Sequence, residues 1–209
     1  MTLFYIDTTS SYLYTAIVRD DKLLTERKKD LGKNLSVESI SIVSEMFNEV
    51  NVKPTDVDKI IVVNGPGSFT GIRIGVTLAK IMAYSLNIPI TTITSLEAMA
   101  KSIKTDKLVV PIINARREAC YAAIYDNDKE IMPGKYLTIE SLKMFLLGLN
   151  KEYVFISNDK FNFDVEKYNP DILNIVNFYQ DKECINPHLV NPLYLKLTEA
   201  EENRLKEND

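Results

Sequence analysis

NGPGSFTGIRIG, residues 64–75, links a run of aliphatic residues to a long segment whose apolar residues recur with helical spacing. The run at 59–64 is apolar almost throughout, as expected of a strand that is covered on both faces. The segment at 72–86 has the period of a helix. The stretch is therefore predicted to join a strand to a helix through a tight, glycine-rich loop.

Three strands and a helix are predicted before this loop. Turn residues separate the strands, as in an antiparallel meander, and the predicted ranges are 3–7, 12–20 and 22–29. The helix is expected at 36–50, with Ser36 and Ser39 as candidate cap residues. After the loop and its helix, we expect a strand at 88–93 and a helix that begins at Ser95.

The second half of the chain repeats this order. After a predicted boundary at 104–106, strands are expected at 108–115, 119–126, 130–137 and 153–157, with a helix at 139–149. Roughly the last 50 residues show no strong periodicity. The order predicts an α/β chain of two tandem ribonuclease-H-like lobes with mixed sheets, 1–104 and a smaller 105–209, as in actin and sugar kinases.

Composition narrows the possible functions. With 26% charged and 45% hydrophobic residues, the chain is neither disordered nor a coiled coil. No apolar run is long enough to span a membrane, and Asp7 interrupts any signal peptide, so we expect a cytoplasmic protein. A net charge of -4 argues against binding nucleic acid without a partner. Cys120 and Cys184 have no metal-like spacing and are expected to be free, buried thiols.

The glycine loop has two catalytic interpretations, and its spacing disfavours both. A phosphate-binding loop requires G-x-G-x-x-G or a final Gly-Lys-Ser/Thr, whereas Gly65, Gly67 and Gly71 give G-x-G-x-x-x-G. A nucleophile elbow at Ser68 requires G-x-S-x-G and a histidine. The single histidine, His188, lies between prolines and is predicted to be structural or exposed. A serine hydrolase or a zinc enzyme is therefore disfavoured.

A third interpretation concerns the helix that the loop begins. Gly71, Gly75, Ala79 and Ala83 recur every four residues and form a stripe of small side chains on one face. Either this stripe packs the helix on its own sheet, or it lets the backbone of another protein approach closely. The rest of the helix is almost wholly apolar, which is typical of a partner site. Both interpretations remain open from the residues alone.

Four blocks of the chain resemble the TsaB (YeaZ) family, a subunit of the bacterial machinery that makes threonylcarbamoyladenosine in tRNA. The blocks are the glycine loop with its helix, LFYIDTTSSYLYTAIV at 3–18, NARREACYAAIYD at 114–126 and NPLYLKLTEAE at 191–201. The resemblance implies an ASKHA (actin-like) fold and no catalytic residues in this chain. It also implies a heterodimer with the catalytic paralogue TsaD, an ATPase partner TsaE, and contact with tRNA only through that complex.

In such a complex, the helices of the N-terminal lobe would form the interface, or a homodimer when the partner is absent. The implied interface residues are Ser68, Gly71, Ile74, Gly75, Leu78, Ala79 and Met82, with Ile40 and Val43 from the preceding helix. ATP and a divalent metal would be used by the complex rather than by this chain. The helix at 36–50 has no histidine, and Leu35 stands where family members often have one, so a TsaD-type metal site is not expected.

Asp7, Thr8 and Thr9 occupy the turn that approaches ATP phosphates in related kinases. They are candidate nucleotide-binding residues, although such a turn also forms because its side chains cap their own backbone. Arg116 and Arg117 are likewise either an anion site or a solvated turn, and Asn114 stands where the family more often has Asp. The alternative function is a small ATP-dependent phosphotransferase of the same fold; a peptidase is least favoured.

Overall fold

The computed structural model describes residues 1–196 and contains two five-stranded mixed sheets. The first sheet consists of β1 (Thr2–Asp7), β2 (Tyr12–Arg19), β3 (Lys22–Asp30), β4 (Lys59–Val63) and β5 (Ile90–Ile93) in the order β3-β2-β1-β4-β5. The second consists of β6 (Leu108–Asn114), β7 (Ala119–Asp126), β8 (Lys129–Thr138), β9 (Tyr153–Ser157) and β10 (Glu166–Lys167) in the order β10-β9-β6-β7-β8. The α/β prediction is confirmed.

The first three strands form the predicted antiparallel meander, and β4 and β5 extend the sheet in parallel. Every residue of β1 and β4 is buried, because helices cover one face of the sheet and the second lobe covers the other. The second sheet repeats this arrangement with an antiparallel β6-β7-β8 meander and a parallel β9.

Two helices cover the outer face of the first sheet: α1 (Leu35–Glu49) and α2 (Phe69–Leu86). The short α3 (Ser95–Ala100) packs on β6, β7 and β9, and α4 (Ile139–Leu149) covers the outer face of the second sheet. A shared core between the lobes joins Tyr5, Tyr14 and Val63 of the first sheet to Val109 and Ile156 of the second. The boundary at residue 104 stays a prediction.

The chain after the second sheet returns to the first lobe. Helix α5 (Ile172–Tyr179) packs on β1, β2 and β3, and its buried residues have the spacing of an amphipathic helix. Ile185 then bridges to Ile90 at the edge of β5. The buried Lys59 ammonium donates to the carbonyls of Gln180 and Lys182, which fastens this segment to β4.

Several local predictions were wrong. The last 50 residues were expected to lack strong periodicity, but they contain the helix α5. The two-residue strand β10 was not predicted either. Neither predicted serine caps α1, which begins at Leu35; the Ser39 hydroxyl donates to the Leu35 carbonyl inside the helix. Cys120 is buried as expected, but Cys184 is exposed.

Part of the block at 191–201 and of the lobe at 105–209 lies outside the described residues. Within residues 1–196, no helix combines the length and the apolar character that crossing a membrane requires.

Candidate functional site

The glycine loop is folded onto the turn between β1 and β2. The Ser68 amide donates to the Thr9 carbonyl at 2.7 Å, and the Ser68 hydroxyl caps α2 by accepting from the Gly71 amide at 3.2 Å. These bonds occupy the amides of Ser68 and Gly71, which a phosphate cradle would need for its ligand. The loop therefore serves to position α2.

The small-residue stripe of α2 faces the chain's own first lobe. A side chain at Gly71 would collide with the Thr8 carbonyl, and one at Gly75 with the Thr8 hydroxyl. Ala79 and Ala83 of α2 are buried in the core that α1 and α2 form with the first sheet. Of the two interpretations left open by the sequence, packing on the own sheet is therefore the one that the structure supports.

The nine predicted interface residues divide into two groups. Gly71, Gly75, Ala79 and Val43 are buried within the chain and are corrected to packing residues, because no partner can reach them in this arrangement. The other five are exposed or half-buried: Ser68, Ile74, Leu78, Met82 and Ile40. A bulky substitution at Gly75 would disrupt the fold and is not a clean test of partner binding.

The surface between the two outer helices is an apolar groove of about 450 Å³, here called the α1–α2 groove. It is lined by Ser36 and Ile40 of α1 and by Phe69, Thr70, Arg73, Ile74, Thr77, Leu78 and Ile81 of α2. Ile40 is 62% exposed, Phe69 55% and Ile81 57%, so apolar side chains of both helices face the solvent here. Contiguous exposed apolar patches are frequently surfaces that contact another molecule.

Residues at one end of the groove were absent from the predicted interface. The Arg73 guanidinium lies 3.8 Å from the centre of the Phe69 ring and donates to the Tyr194 hydroxyl at 2.9 Å. Tyr194 in turn stacks on Phe69, with 5.4 Å between ring centres. The spacing of Phe69, Arg73 and Ile81 along the helix places them on one face, opposite the small-residue stripe, and this spacing is the sequence signal for the groove.

A second candidate site is the cleft between the lobes, with a volume of about 900 Å³. Asp7 and Thr9 line it, as the nucleotide-binding prediction requires, together with Asn114 and Arg116 from the second lobe. Thr8 does not line the cleft. Its hydroxyl is directed into α2, where it donates to the Gly71 carbonyl at 2.7 Å and accepts from the Gly75 amide at 2.9 Å. Thr8 is therefore corrected to a structural residue.

Burial changes the acidity of the Asp7 carboxyl group. It raises the pKa of Asp7 to about 6, although the amide and hydroxyl of Thr9 donate to this carboxylate at 2.8 and 2.7 Å and oppose the shift. A carboxyl group with a raised pKa at the floor of a cleft is a frequent feature of functional sites.

The arginine turn of the second lobe sits at the edge of this cleft. Arg116, Arg117 and Glu118 all have positive φ, and the Arg116 amide donates to the Asn114 side chain at 2.8 Å. The Asp159 carboxylate accepts from the Asn114 amide at 2.7 Å, so a carboxylate reaches this turn from another loop. Only Arg116 of the two arginines lines the cleft.

The single histidine and the candidate nucleophile Ser68 lie at opposite ends of α2. Residues 1–196 contain no group of three His, Cys, Asp or Glu side chains placed to hold a metal ion. His188 is exposed, as predicted, and packs edge-on against Tyr84 with 4.8 Å between ring centres. It is therefore far along α2 from Ser68, the candidate nucleophile.

Comparison with known proteins identifies relatives along nearly the whole chain. The tRNA threonylcarbamoyladenosine biosynthesis protein TsaB of Bacillus subtilis (strain 168) is 33% identical, and the match covers 96% of each chain. A tRNA N6-adenosine threonylcarbamoyltransferase of Geotalea uraniireducens (strain Rf4) is 26% identical over 52% of this chain and 36% of its own. The family model described as TsaD, tRNA N6-adenosine threonylcarbamoyltransferase, matches residues 29–152.

A solved structure confirms the fold. It is that of a Pseudomonas aeruginosa protein described as uncharacterized, with similarity to peptidase YeaZ. It superposes with a TM-score of 0.76 at 19% identity and covers 93% of this chain and 99% of its own. The two-lobed, ASKHA-type fold expected from the sequence is thereby confirmed.

Proposed function

Because this chain belongs to the TsaB family of tRNA threonylcarbamoyladenosine biosynthesis proteins, we propose that it is a noncatalytic subunit that pairs with a TsaD-type paralogue through the α1–α2 groove. The exposed apolar lining of that groove is the observation that carries the proposal. The pair, with a TsaE-type ATPase, would transfer a threonylcarbamoyl group to a tRNA adenosine next to the anticodon. This transfer would take place in the cytoplasm.

The likeness to TsaD favours this partner over an unrelated one. The family model of TsaD spans α1 and α2, so a TsaD-type chain carries helices that are equivalent to those lining the groove. Two related chains that present equivalent helices can pack around an approximate twofold axis, with each apolar face covering the other. The same face would support a homodimer, and the two pairings would exclude each other.

The proposal is tested by placing a charge in the groove. We expect Ile81→Asp to weaken binding of the TsaD paralogue about 100-fold or more, since an unpaired carboxylate would be buried in an apolar interface. Affinity is measured by calorimetry with purified chains from one genome. In the reconstituted complex, the same variant should lose threonylcarbamoyl transfer to tRNA.

Met144→Asp is the matched control. Met144 is 67% exposed on α4 of the other lobe, so this variant introduces the same charge away from the groove. It should bind the paralogue like the wild type. Equal affinity of the wild type and Ile81→Asp, with both folded, would place the interface elsewhere, and a wild type that does not bind the paralogue would refute the pairing.

A second candidate function is nucleotide binding in the interlobe cleft, with Asp7 and Thr9 facing the phosphates. It is favoured by the size of the cleft and by the two side chains at its floor. Calorimetric titration with ATP and Mg²⁺ tests it, and Asp7→Asn should then abolish the binding. If this chain alone turned over ATP steadily, a photometric assay would detect it and the phosphotransferase alternative would be favoured. No heat of binding in the wild type would exclude both.

A further inference from the structure

Thr8 contacts the backbone of α2 through its hydroxyl group. The residue is fully buried, and its hydroxyl group donates to the Gly71 carbonyl at 2.7 Å and accepts from the Gly75 amide at 2.9 Å. These are the two backbone groups that the helical i to i+4 ladder pairs with each other. A side chain from the β1–β2 turn is thus inserted at a specific point of the helix. A Cβ atom at Gly75 would collide with the Thr8 hydroxyl and one at Gly71 with the Thr8 carbonyl, so glycine at both positions leaves room for Thr8.

The same turn is bonded to the loop that begins α2. The Ser68 amide donates to the Thr9 carbonyl at 2.7 Å, and the Thr9 amide and hydroxyl donate to the Asp7 carboxylate. The cleft floor and the first two turns of α2 therefore form one hydrogen-bonded unit. Asp7, Thr8 and Thr9, which supply the cleft side of this unit, are all buried.

The first turn of α2 also separates the two candidate sites. Phe69 and Thr70 line both the α1–α2 groove and the interlobe cleft. A small rotation of this turn would reshape both surfaces together. Its orientation is held by the Thr8 and Ser68 bonds and by the buried Ile72, which packs in the core beneath the helix, whereas Phe69 and Arg73 contact the exposed Tyr194.

We propose that Thr8 is a positioning residue for partner binding: its hydroxyl group fixes the N-terminal half of α2 relative to the cleft floor, and thereby the shape of the groove. The inference rests on the proposed function. It adds that a buried residue, which touches neither the partner nor a ligand, determines the affinity for the partner. It also makes the cleft and the groove two faces of one structural unit.

The test replaces the hydroxyl group without changing the volume. We expect Thr8→Val to lower affinity for the TsaD paralogue about tenfold, because the variant loses both hydrogen bonds that hold α2 in the binding orientation, and a smaller fraction of the free chain is then ready to bind. Thr8→Ser keeps the hydroxyl group and should restore most of the affinity. Affinities are measured on folded protein at a temperature well below the unfolding transition of each variant.

Thr15→Val is the control. Thr15 is equally buried, and its hydroxyl donates to the Tyr5 carbonyl at 2.7 Å, but it lies in neither site. If both valine variants lose stability and only Thr8→Val loses affinity, the positioning role is supported. If the two variants bind the paralogue as well as the wild type, the inference is wrong and the proposed function stands. If the wild type does not bind, the proposed function falls and the inference with it.

Hydrogen exchange of the wild type decides the matter if Thr8→Val does not fold. Binding of the paralogue should slow exchange of the Gly75 amide, which is buried under Thr8, about tenfold more than exchange of the Ala122 amide in the second sheet. Equal slowing of the two amides would indicate general stabilisation by the partner and would overturn the inference.

Discussion

At the scale of single residues, the buried carboxyl group of Asp7 makes the stability of the fold depend on pH. It is 3% exposed and titrates near a pKa of about 6 instead of its ordinary 3.8. The folded chain therefore binds this proton more tightly than the unfolded chain. The resulting stabilisation, about 3 kcal/mol at most, is complete below the unfolded pKa and is lost as the pH rises through the folded pKa.

Replacing Asp7 by asparagine should remove this pH dependence. The Asp7→Asn variant keeps an oxygen that can accept from Thr9 but has no proton to lose. From about pH 8 to about pH 5, the wild type should gain roughly 1 kcal/mol more unfolding free energy than the variant. Urea unfolding of both proteins at the two pH values measures the difference. If the curves shift in parallel, Asp7 titrates as in the unfolded chain and its carboxyl group is not buried in solution.

At the scale of elements, α2 is held by close packing of its glycines on the β1–β2 turn. Gly71→Ala places a methyl group against the Thr8 carbonyl, and a backbone atom cannot move away without shifting the turn. We expect this variant to lose about 1–3 kcal/mol of unfolding free energy. Chemical denaturation followed by circular dichroism measures the loss.

Gly148→Ala provides the comparison in another helix. Gly148 lies in the last turn of α4, and a methyl group there meets nothing within 4 Å. The variant should be unchanged or up to about 1 kcal/mol more stable, because alanine is the better helix former. Similar effects of the two substitutions would mean that α2 does not approach the turn as closely as described.

At the scale of the whole molecule, the two lobes share one core. The Tyr14 ring packs edge-on against Tyr168 with 5.4 Å between ring centres, and the Asn158 amide donates to the Tyr14 hydroxyl at 2.9 Å. Helix α5 covers another part of the same sheet face, although it follows the second sheet in sequence. The first lobe thus depends on chain segments that lie beyond the predicted boundary.

A fragment of residues 1–104 should therefore not fold into a stable unit. It contains the first sheet with α1 and α2 but exposes the face that carries Leu3, Tyr5 and Tyr14. We expect a partly ordered, aggregation-prone fragment that binds hydrophobic dyes, whereas the full chain unfolds in one cooperative transition. A dispersed NMR spectrum and a cooperative urea transition of the fragment would show that the lobe is self-sufficient.

The sequence by itself determined the order of the strands and helices and the repetition of this order in the two halves of the chain. Alternation of strands and helices, turn residues between them and the twofold repetition of the pattern are local signals, and the two sheets follow them closely. It missed β10, which is too short to have a period, and α5, whose helical spacing lies within a polar region. Family membership was also contained in local motifs.

The tertiary structure alone decided which surfaces are free. Spacing places Gly71, Gly75 and Ala79 on one face of α2, but in a helix that is apolar almost all round, spacing does not say which face meets the sheet. Thr8 resolves this, since its carbonyl and hydroxyl groups fill the room that Gly71 and Gly75 leave, and Ile74, Leu78 and Ile81 then line the groove. Likewise, the sequence placed Asp7, Thr8 and Thr9 in one turn, and only the packing of α2 separated Thr8 from the cleft that the other two line. Contacts between residues distant in the sequence settle such choices, because burial is a property of the assembled layers and not of a segment.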